Sequence, residues 1–467
     1  MSEYFRKYIK RDVPPAANIK FRCAKLHRHT EGDQVILQHN TIYDVLKSRG
    51  WKEADMEQAP NDWSFFWADR DWIHDAFDRV HLDASQKVNH FRNHYELTRK
   101  DLLAKNLKRM RRQCERDNLM EEAQMYNCCP TTFSLPVEYN MFVEEFKKNQ
   151  NSIWIMKPIG RSQGTGIFLI NKLAQIQQWK PTQIDKKAEE NDDGPVEQYV
   201  VQKYVEDPML IGGKKFDIRL YVCVTSYQPL TVHVNRGGFC RFSMHKYSVE
   251  RGDLNASLAK HLTNIAVQKH GKKEAYTRTG AKMDLSSLKS FILSKADVDT
   301  VNKVMTAIED IVIYSLLAVQ KSMINDKHCF ELYGYDVMID KNFKPWLIEV
   351  NASPSLTANT PADYDFKFGL LDDTLTIIDL EKYLSGEEKQ IGGFDLLYKD
   401  GQRVRPPPGS VYTSYMGGTA EVRKPQLKRL AKQRSMELMR GDKPPAKKEA
   451  GEAPGTEKSK KAPLFRP

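Results

Sequence analysis

Two apolar runs rich in aromatic and β-branched residues, joined by a short polar stretch, make up residues 331–351, ELYGYDVMIDKNFKPWLIEVN. With its polar residues centred on Lys341-Asn342, this pattern predicts a β-hairpin and therefore antiparallel neighbours. Residues 229–243 predict a second hairpin that turns at Gly237-Gly238. Other β-rich runs bounded by turn residues occur at 153–158, 166–171, 198–205 and 216–226. This order predicts an α+β fold with antiparallel sheets and excludes a doubly wound parallel sheet.

The chain of 467 residues is long enough for two or three domains with cores of their own. Apolar periodicity predicts helices at 41–49, 96–115, 284–296 and 299–324. We expect a small N-terminal α/β domain at 1–95, a central domain with a phosphate-binding loop at 96–205, and a C-terminal domain with a metal site at 206–400.

The net charge of +11 is concentrated in residues 401–467. This segment holds 16 of the 72 Lys and Arg residues but only 6 of the 61 Asp and Glu residues, so the rest of the chain is almost neutral. It is also rich in Pro and Gly, and such a segment cannot bury enough apolar surface to fold alone. The composition therefore predicts a disordered basic tail that attracts polyanions.

The sequence predicts neither secretion nor membrane insertion. The first residues, MSEYFRKYIKRDVPP, are charged and lack the apolar region of a signal peptide. The most apolar stretch, 308–324, contains Glu309, Asp310 and Lys321 and predicts a core helix. The seven cysteines include no CxxC pair, so we interpret them as structural residues in a reducing cytosol.

The predicted helix at 96–115 has a basic face. Lys105, Lys108, Arg109 and Arg112 follow the i, i+3, i+4, i+7 spacing, and residues 99–112 contain seven basic residues against the single acid Asp101. One charge run is often only a solvated surface. Six surplus charges on one short helix nevertheless favour an anionic partner.

The hairpin at 331–351 predicts a divalent-metal site. Glu349 and Asn351 are two residues apart, so their side chains point to the same face of a strand. A turn at 340–343 brings Asp336 opposite residues 347–349. Two carboxylates and an amide oxygen are ligands that Mg²⁺ accepts while it keeps phosphate and water oxygens. The alternative is a strand end that reaches solvent, where Glu and Asn are common.

A strand–loop–strand segment, WIMKPIGRSQGTGIF at 154–168, predicts a phosphate cradle. It places Lys157 at a strand end and three glycines, Gly160, Gly164 and Gly166, in the loop, where backbone N–H groups can approach phosphate oxygens. It is not a Walker loop, since GxxxxGK[ST] is missing. Lys203 could add a second charge on another strand. Alternating ionisable residues on a third strand indicate a polar cleft and not a packed core: Lys215, Asp217 and Arg219.

Several motifs in one order resemble the tubulin–tyrosine-ligase-like family, and look closest to its short polyglutamylase members. The matching segments are HFRNHYELTRKDLLAKN, WIMKPIGRSQGTGIF, LIGGKKFDIRLYV, GFCRF, HLTNIAVQK, CFELYGYDVMID and KPWLIEVNASPSL. The resemblance spans about residues 35–380. It implies an ATP-grasp fold, in which two α+β lobes enclose ATP, and ATP-dependent ligation of an amino acid to a protein carboxylate.

The resemblance also implies roles for individual residues. The implied ATP contacts are Lys157, Gln163, Gly164, Gln202, Lys203, Tyr204, Val205, Lys215, Asp217, Thr263 and Asn264. Mg²⁺ would be held by Asp336, Glu349 and Asn351, and the incoming L-glutamate by Arg241, Lys282 and Lys367. Arg219 and Lys203 would stabilise charge during the reaction. Arg161 stands where some relatives carry lysine, which leaves this chemistry intact.

The implied partner is tubulin or the microtubule, whose acidic C-terminal tails would lie on the basic helix. Accessory subunits are a further expectation, whereas a membrane or a nucleic acid is not expected. The implied location is the cytoplasm and cytoskeleton, including the axoneme of a cilium or flagellum and the basal body. Ligation of another amino acid such as glycine, and a non-catalytic microtubule or nucleic-acid binder, stay open. A kinase is disfavoured because HRD, DFG and a Walker lysine are missing.

Overall fold

The computed structural model describes residues 18–24, 28–31, 34–37, 40–55, 57, 60–161, 164–176, 198–249, 254–255, 258–263, 282–358 and 360–419. The helices are α1 Thr41–Ser48, α2 Arg70–Asp75, α3 Tyr95–Thr98, α4 Lys100–Arg116, α5 Met120–Met125, α6 Tyr139–Lys148, α7 Leu285–Lys295, α8 Val298–Gln320 and α9 Pro361–Ile378. None of the helices in these parts of the chain combines the length and apolar character needed to cross a membrane.

The strands form three sheets and one separate hairpin. They are β1 Lys20–Cys23, β2 Arg28–Glu31, β3 Gln34–Leu37, β4 Lys52–Glu53, β5 Phe65–Trp67, β6 Lys87–Val88, β7 Thr132–Leu135, β8 Trp154–Pro158, β9 Phe168–Ile170, β10 Tyr199–Lys203, β11 Leu210–Ile211, β12 Lys214–Tyr227, β13 Leu230–Phe242, β14 Lys282–Asp284, β15 Glu331–Ile339, β16 Pro345–Asn351, β17 Gln390–Ile391, β18 Phe394–Lys399 and β19 Gln402–Arg403. The result is a mixed α/β architecture, and the finer ATP-grasp assignment stays a prediction.

The largest sheet has nine strands and is antiparallel throughout. Its main path is β16-β15-β12-β13-β18-β17, and β11, β14 and β19 pair at its sides. Helices α7 and α8 contribute to its core with apolar residues. The predicted helices at 41–49, 284–296 and 299–324 are present within a few residues of their expected bounds, whereas the one predicted at 96–115 is divided at Arg99 into α3 and α4. The hairpin β15–β16 turns at Asp340–Lys344, as the sequence predicts.

The prediction of a second hairpin at residues 229–243 is wrong. Residues 230–242 form the single strand β13, and the chain reverses earlier, at Gln228-Pro229, between β12 and β13. Gly238 lies inside this strand because its backbone packs closely on β12: a Cβ there would lie 2.7 Å from the carbonyl oxygen of Arg219. The glycine pair therefore permits a close approach of two strands and does not form a turn.

Two smaller sheets flank the nine-stranded sheet. The antiparallel sheet β7-β10-β8-β9 packs on α6, with Trp154 of β8 buried against Phe142 of the helix. The N-terminal sheet β4-β1-β5-β6 is parallel, and it shares a core with α1, α9 and the nine-stranded sheet. Arg49, which follows α1, is fully buried. It pairs with Asp372 of α9 and with Glu381, which follows α9. These contacts fix the N-terminal sheet against the segment that follows β16.

The predicted disordered tail from residue 401 is wrong for its first part. Residues 402–419, here named the C-terminal strap, begin with β19 and then pack along α7 and α8. The Lys289 ammonium donates to the carbonyl of Met416, whose side chain is 1% exposed. Arg403 pairs with Glu309 and Asp310 of α8. Specific ion pairs and one buried apolar side chain hold a segment whose composition predicts disorder. Residues 420–467 lie outside the described residues.

We expect Arg403→Met to lower the free energy of unfolding by ~3 kcal/mol, because two partly or fully buried carboxylates lose their cation. Burial already raises the pKa of both Glu309 and Asp310, so their neutral forms become accessible on mild acidification. A carboxyl group whose pKa is raised in the folded state makes the fold less stable as pH rises. Part of the lost free energy of unfolding should therefore be recovered near pH 5. Denaturant unfolding at pH 7.5 and pH 5 measures both effects.

The matched control is Arg405→Met, which removes the same charge from an exposed residue of the same strap that acts on Asp310 through its charge alone. It should change the unfolding free energy by less than ~0.5 kcal/mol. Equal losses in the two variants would show that the buried carboxylates do not depend on Arg403.

Candidate active site

The register of β15 and β16 brings the three predicted metal ligands to one face. Asp336 is the direct cross-strand partner of Glu349, and Gly334 is the partner of Asn351. The amide nitrogen of Asn351 lies 3.5 Å from Oε1 of Glu349 and 3.3 Å from the carbonyl oxygen of Gly334. This nitrogen is the donor, so Oδ1 of Asn351 is left as the ligand atom.

The chemistry of this face fits a divalent cation. Burial, and after it the neighbouring charge of Asp336, raises the pKa of Glu349. A cation beside Glu349 would therefore stabilise its ionised form. Asp336 can contribute an oxygen even while it accepts from arginine, because a carboxylate has about four lone-pair positions. Among the described residues, no group of three His, Cys, Asp or Glu side chains is arranged to hold a metal. The donor set here is instead two carboxylates and one amide.

Two arginines occupy the side of Asp336 that faces β12 and β13. Arg219 donates to both carboxylate oxygens of Asp336 at 2.5 and 3.0 Å. Arg241 donates to Asp217 at 2.8 and 2.5 Å and also reaches Asp336 at 2.7 Å. Burial alone would raise the pKa of Asp336, but the two guanidinium groups hold it well below its usual range. The result is a buried network of two arginines and two aspartates.

Two buried lysines line another part of the same cleft, Lys157 on β8 and Lys215 on β12. Lys157 donates to Oε1 of Gln202 at 2.7 Å, and Lys215 donates to the hydroxyl of Tyr204 at 2.7 Å. Burial lowers the pKa of Lys157 to about 8, and burial with the nearby Lys157 charge lowers that of Lys215 to about 7. A buried ammonium with a lowered pKa gains strongly from an anion, so this side of the cleft suits phosphate.

A family model described as the tubulin-tyrosine ligase family matches residues 79–388, more than half of the chain. The chain belongs to the tubulin-tyrosine ligase family. The segment matched contains β8, β10, β12, β13, β15 and β16, on which the clustered side chains lie.

Individual members of the family are similar over most of their length. The chain is 44% identical over 423 residues to a rat protein described as probable tubulin polyglutamylase TTLL9, covering 84% of this chain and 90% of that protein. It is 44% identical over 382 residues to the Caenorhabditis elegans probable tubulin polyglutamylase ttll-9, covering 81% and 88%. A Tetrahymena thermophila protein described as probable alpha-tubulin polyglutamylase Ttll1 is 38% identical over 406 residues, covering 82% and 94%.

The cleft of this family member contains most of the residues predicted to bind a nucleotide. The described residues of that set that line it are Lys157, Gly164, Gln202, Lys203, Tyr204, Val205, Lys215, Asp217 and Thr263. The hydroxyl of Thr263 donates to Asp217 at 2.8 Å. Arg241, Asp336 and Glu349 line the same cleft. Gln163 and Asn264 lie outside the described residues.

The residues predicted to hold glutamate divide into two groups. Lys282 and Lys367 do not line this cleft; both pair with Asp363, at 2.8 and 3.0 Å. Lys282 is the cross-strand partner of Arg241, so this group adjoins the arginine network. The guanidinium of Arg241 is already bound to two aspartates. A ligand carboxylate would therefore have to share it.

Sequence patterns missed two residues of this site. Lys100, in the first turn of α4, lies 4.0 Å from Oε2 of Glu349 and 3.3 Å from the carbonyl oxygen of Arg161 in the glycine loop. It belongs to the basic segment singled out above, but its direction depends on how α4 packs. Asp363 gives no local signal, because it is an ordinary first-turn acid of α9.

The basic face of α4 is present, but two of its charges are already bound. Lys108 pairs with Glu138 at 3.0 Å, and Arg109 donates to the carbonyl of Ala318 on α8 at 2.9 Å. Lys105, Arg112 and Arg116 form no ion pair with any described residue and are exposed. We name these three residues the basic stripe. It follows one groove along α4.

Proposed function

We propose that this chain is an ATP-dependent ligase that joins glutamate to glutamate side chains of tubulin C-terminal tails. One observation carries the proposal: the pair Asp336–Glu349 has two buried lysines of the cleft at one side, and at another the arginines that adjoin Lys282. The first side suits the phosphates of a nucleotide, and the second suits the carboxylates of an amino acid. The names of the relatives support tubulin as the acceptor and glutamate as the amino acid.

On the nucleotide side, Lys157, Lys215 and Lys203 balance phosphate charge. The cleft also offers Ile155, Met338 and Leu262 as apolar surface for a base. Asp336, Glu349 and Asn351 would hold Mg²⁺, which supplies charge neutralisation at the phosphates when bound. Lys100 reaches both the glycine loop and Glu349, and so links the loop to the metal ligands.

On the amino-acid side, Lys282 and Lys367 flank Asp363, and the charge of Arg219 acts on Lys367. Free glutamate carries two carboxylates, and this cluster can accept both. Asp363 holds the two lysines in place before the ligand arrives.

The proposed reaction has two steps. A γ-carboxylate of the acceptor attacks the γ-phosphorus of ATP, the bond from that phosphorus to the β–γ bridging oxygen breaks, and an acyl phosphate and ADP are formed. The α-amine of glutamate then displaces phosphate and forms an isopeptide bond. Arg219 is placed to stabilise negative charge on the acyl group in both steps, because it donates to Asp336 of the cleft and its charge also acts on Lys367.

The acceptor surface in this proposal is the basic stripe. Helix α4 begins with Lys100 at the metal ligands, and the stripe runs from Lys105 to Arg116, ~16 Å along the helix axis. An acidic tail lying on the stripe would therefore lead into the reaction centre. This arrangement suits a protein acceptor on the cytoskeleton better than a free metabolite.

We expect nucleotide binding near pH 8 to take up protons. Lys157 and Lys215 are partly neutral at that pH because burial lowers their pKa values to about 8 and 7. Phosphate stabilises the charged forms and raises both values, so affinity should increase as pH falls from 9 to 7. Titration calorimetry in two buffers of different ionisation enthalpy measures the uptake. Binding that releases protons, or an uptake that persists unchanged in Lys157→Met, would contradict this assignment.

The proposed function is tested with the purified chain, microtubules, ATP and isotopically labelled glutamate or glycine, read by mass spectrometry of the tubulin tails. Glutamate added to tail glutamates, with ADP formed in equal amount, is the expected result. Addition of glycine alone would change the amino-acid assignment. If the chain binds microtubules but forms neither product, both alone and with recombinant accessory subunits, it is a non-catalytic binder.

A further inference from the structure

The three cations of the basic stripe form a straight row on α4. Lys105, Arg112 and Arg116 are exposed, and all three line the groove along this helix. With 3.6 residues per turn, their side chains leave the helix within a sector of ~40°. They therefore present positive charge to the groove at three fixed points along one line.

The other charged side chains of this part of α4 are engaged within the protein. Lys108 pairs with Glu138, Arg109 donates to a backbone carbonyl of α8, and Arg111 pairs with Glu115 at 3.2 Å. Glu115 and Glu138 also line the groove. A nucleic-acid strand carries a charge every ~3.4 Å and would meet both glutamates. A peptide with a few separate carboxylates fits these charges better.

The spacing of the stripe corresponds to a short stretch of extended peptide. At 1.5 Å per residue, Lys105 and Arg112 are ~10.5 Å apart along the helix axis, and Arg112 and Arg116 are ~6 Å apart. An extended peptide advances ~3.4 Å per residue, so these distances equal about three and about two residues. Lysine has a long, flexible stem and arginine a long side chain, so both can reach a carboxylate on either side of such a peptide.

The row begins a short distance from the candidate active site. Lys100, in the first turn of the same helix, lines the nucleotide cleft and lies 4.0 Å from Oε2 of Glu349. Lys105 is five residues further on, ~7.5 Å along the axis. At least about two residues of extended acceptor must therefore separate the reacting glutamate from the side chain that meets Lys105. The stripe contacts the acceptor outside the reacting position.

We propose that the basic stripe selects which glutamate of an acidic acceptor is modified, by pairing with acidic side chains at set distances from it; this rests on the proposed ligase function. Lys105 pairs with the acidic side chain nearest to the reacting glutamate. Arg112 pairs with one about three residues further along, and Arg116 with one about two residues beyond that. A glutamate without acidic residues at these distances is a poor acceptor, however acidic its immediate neighbours are.

The test uses acceptor peptides in which only one residue can be modified. The parent peptide has a single glutamate and three aspartates, roughly two, five and seven residues away from it, separated by Gly and Ser. Aspartate supplies the charge without the γ-carboxylate. Three further peptides each carry asparagine in place of one aspartate. All are made with the aspartates before or after the glutamate, because the helix sets the distances and not the direction of the chain.

Each cation of the stripe is neutralised in turn, as Lys105→Gln, Arg112→Gln and Arg116→Gln. Each change should lower kcat/KM for the parent peptide ~5-fold, the size of one exposed ion pair. Each should lose this effect with one asparagine peptide only. Lys105→Gln should be silent with the peptide that lacks the nearest aspartate, and Arg116→Gln with the one that lacks the farthest. Such position-specific coupling is what a double-mutant cycle measures.

Two controls separate this selection from a general attraction between charges. Lys303→Gln removes an exposed charge of α8 that does not line the groove, so its effect should be small and equal for all peptides. A peptide with its three aspartates directly beside the glutamate has the same net charge as the parent peptide. It can reach Lys105 but neither arginine, so its kcat/KM should be ~25-fold lower, the loss of two exposed ion pairs.

The proposal is overturned if, in both chain directions, each variant loses the same factor with every peptide. It is also overturned if the peptide with adjacent aspartates is as good an acceptor as the parent. Inhibition by a single-stranded oligonucleotide, relieved equally by all three substitutions, would identify the stripe as a nucleic-acid surface instead. A wild-type chain that modifies no peptide would refute the ligase function, and the selection with it. The wild-type measurement therefore distinguishes the two failures.

Discussion

Replacing Glu349 with glutamine is expected to reduce ligation by at least ~10³-fold, the scale at which a preorganised charge contributes to a reaction. Glu349 is the half-buried member of the Asp336–Glu349 pair, and Lys100 lies 4.0 Å from it. Glutamine keeps the volume and removes the charge that a bound Mg²⁺ would require. Turnover of ATP with glutamate and acceptor peptide measures the effect.

The same substitution should not destabilise the fold. Because burial and Asp336 raise the pKa of Glu349, its ionised form is less favourable in the folded state than in the unfolded state at pH 7. Removing that charge should leave Tm unchanged or slightly higher. The increase in Tm caused by Mg²⁺ and ATP together should be lost, which gives a readout independent of turnover.

Glu122→Gln is the matched control. Glu122 is also half-buried and also has a pKa raised by burial, but it lies on α5, away from the cleft. Its turnover and its response to Mg²⁺ with ATP should equal those of the wild type. Near-normal turnover in Glu349→Gln would refute the assignment of Glu349 to the metal.

Reversing the basic stripe, with Lys105, Arg112 and Arg116 all changed to Glu, is expected to raise KM for an acidic acceptor peptide ~100-fold at low salt. The three cations of the stripe form no ion pair with any described residue of the groove. Lys108 and Arg109 of the same groove instead contact Glu138 and the carbonyl of Ala318. KM for ATP and for glutamate should stay unchanged, because no residue of the stripe lines the nucleotide cleft. Steady-state kinetics with each substrate varied in turn measure these values.

Screening by salt tests whether this effect is electrostatic. At 0.15 M ionic strength the Debye length is ~8 Å, so the difference between wild type and variant should narrow as salt increases. A control that reverses the exposed Lys147, Lys295 and Lys303 changes the net charge equally at other surfaces. If both triple variants behave alike, the acceptor does not lie on the stripe.

The sequence by itself determined the local pairs of the site. The side-chain period of two, together with one short turn, places Asp336 opposite Glu349 and puts Asn351 on the same face. The helical period places Lys105, Lys108, Arg109 and Arg112 along one groove. Both rules act between residues less than twenty positions apart, where backbone geometry fixes which side chains meet. The family motifs then gave these pairs a proposed chemistry.

Only the tertiary structure decided how distant segments combine. Arg219 and Asp336 are 117 positions apart, and they meet because β12 pairs with β15. His90 and Glu331 are 241 positions apart, and no local period relates them. Gly237-Gly238 has the composition of a turn, yet it lies within a strand because β12 packs against it. Strand order and close packing are properties of the whole chain, so a local pattern of polarity cannot specify them.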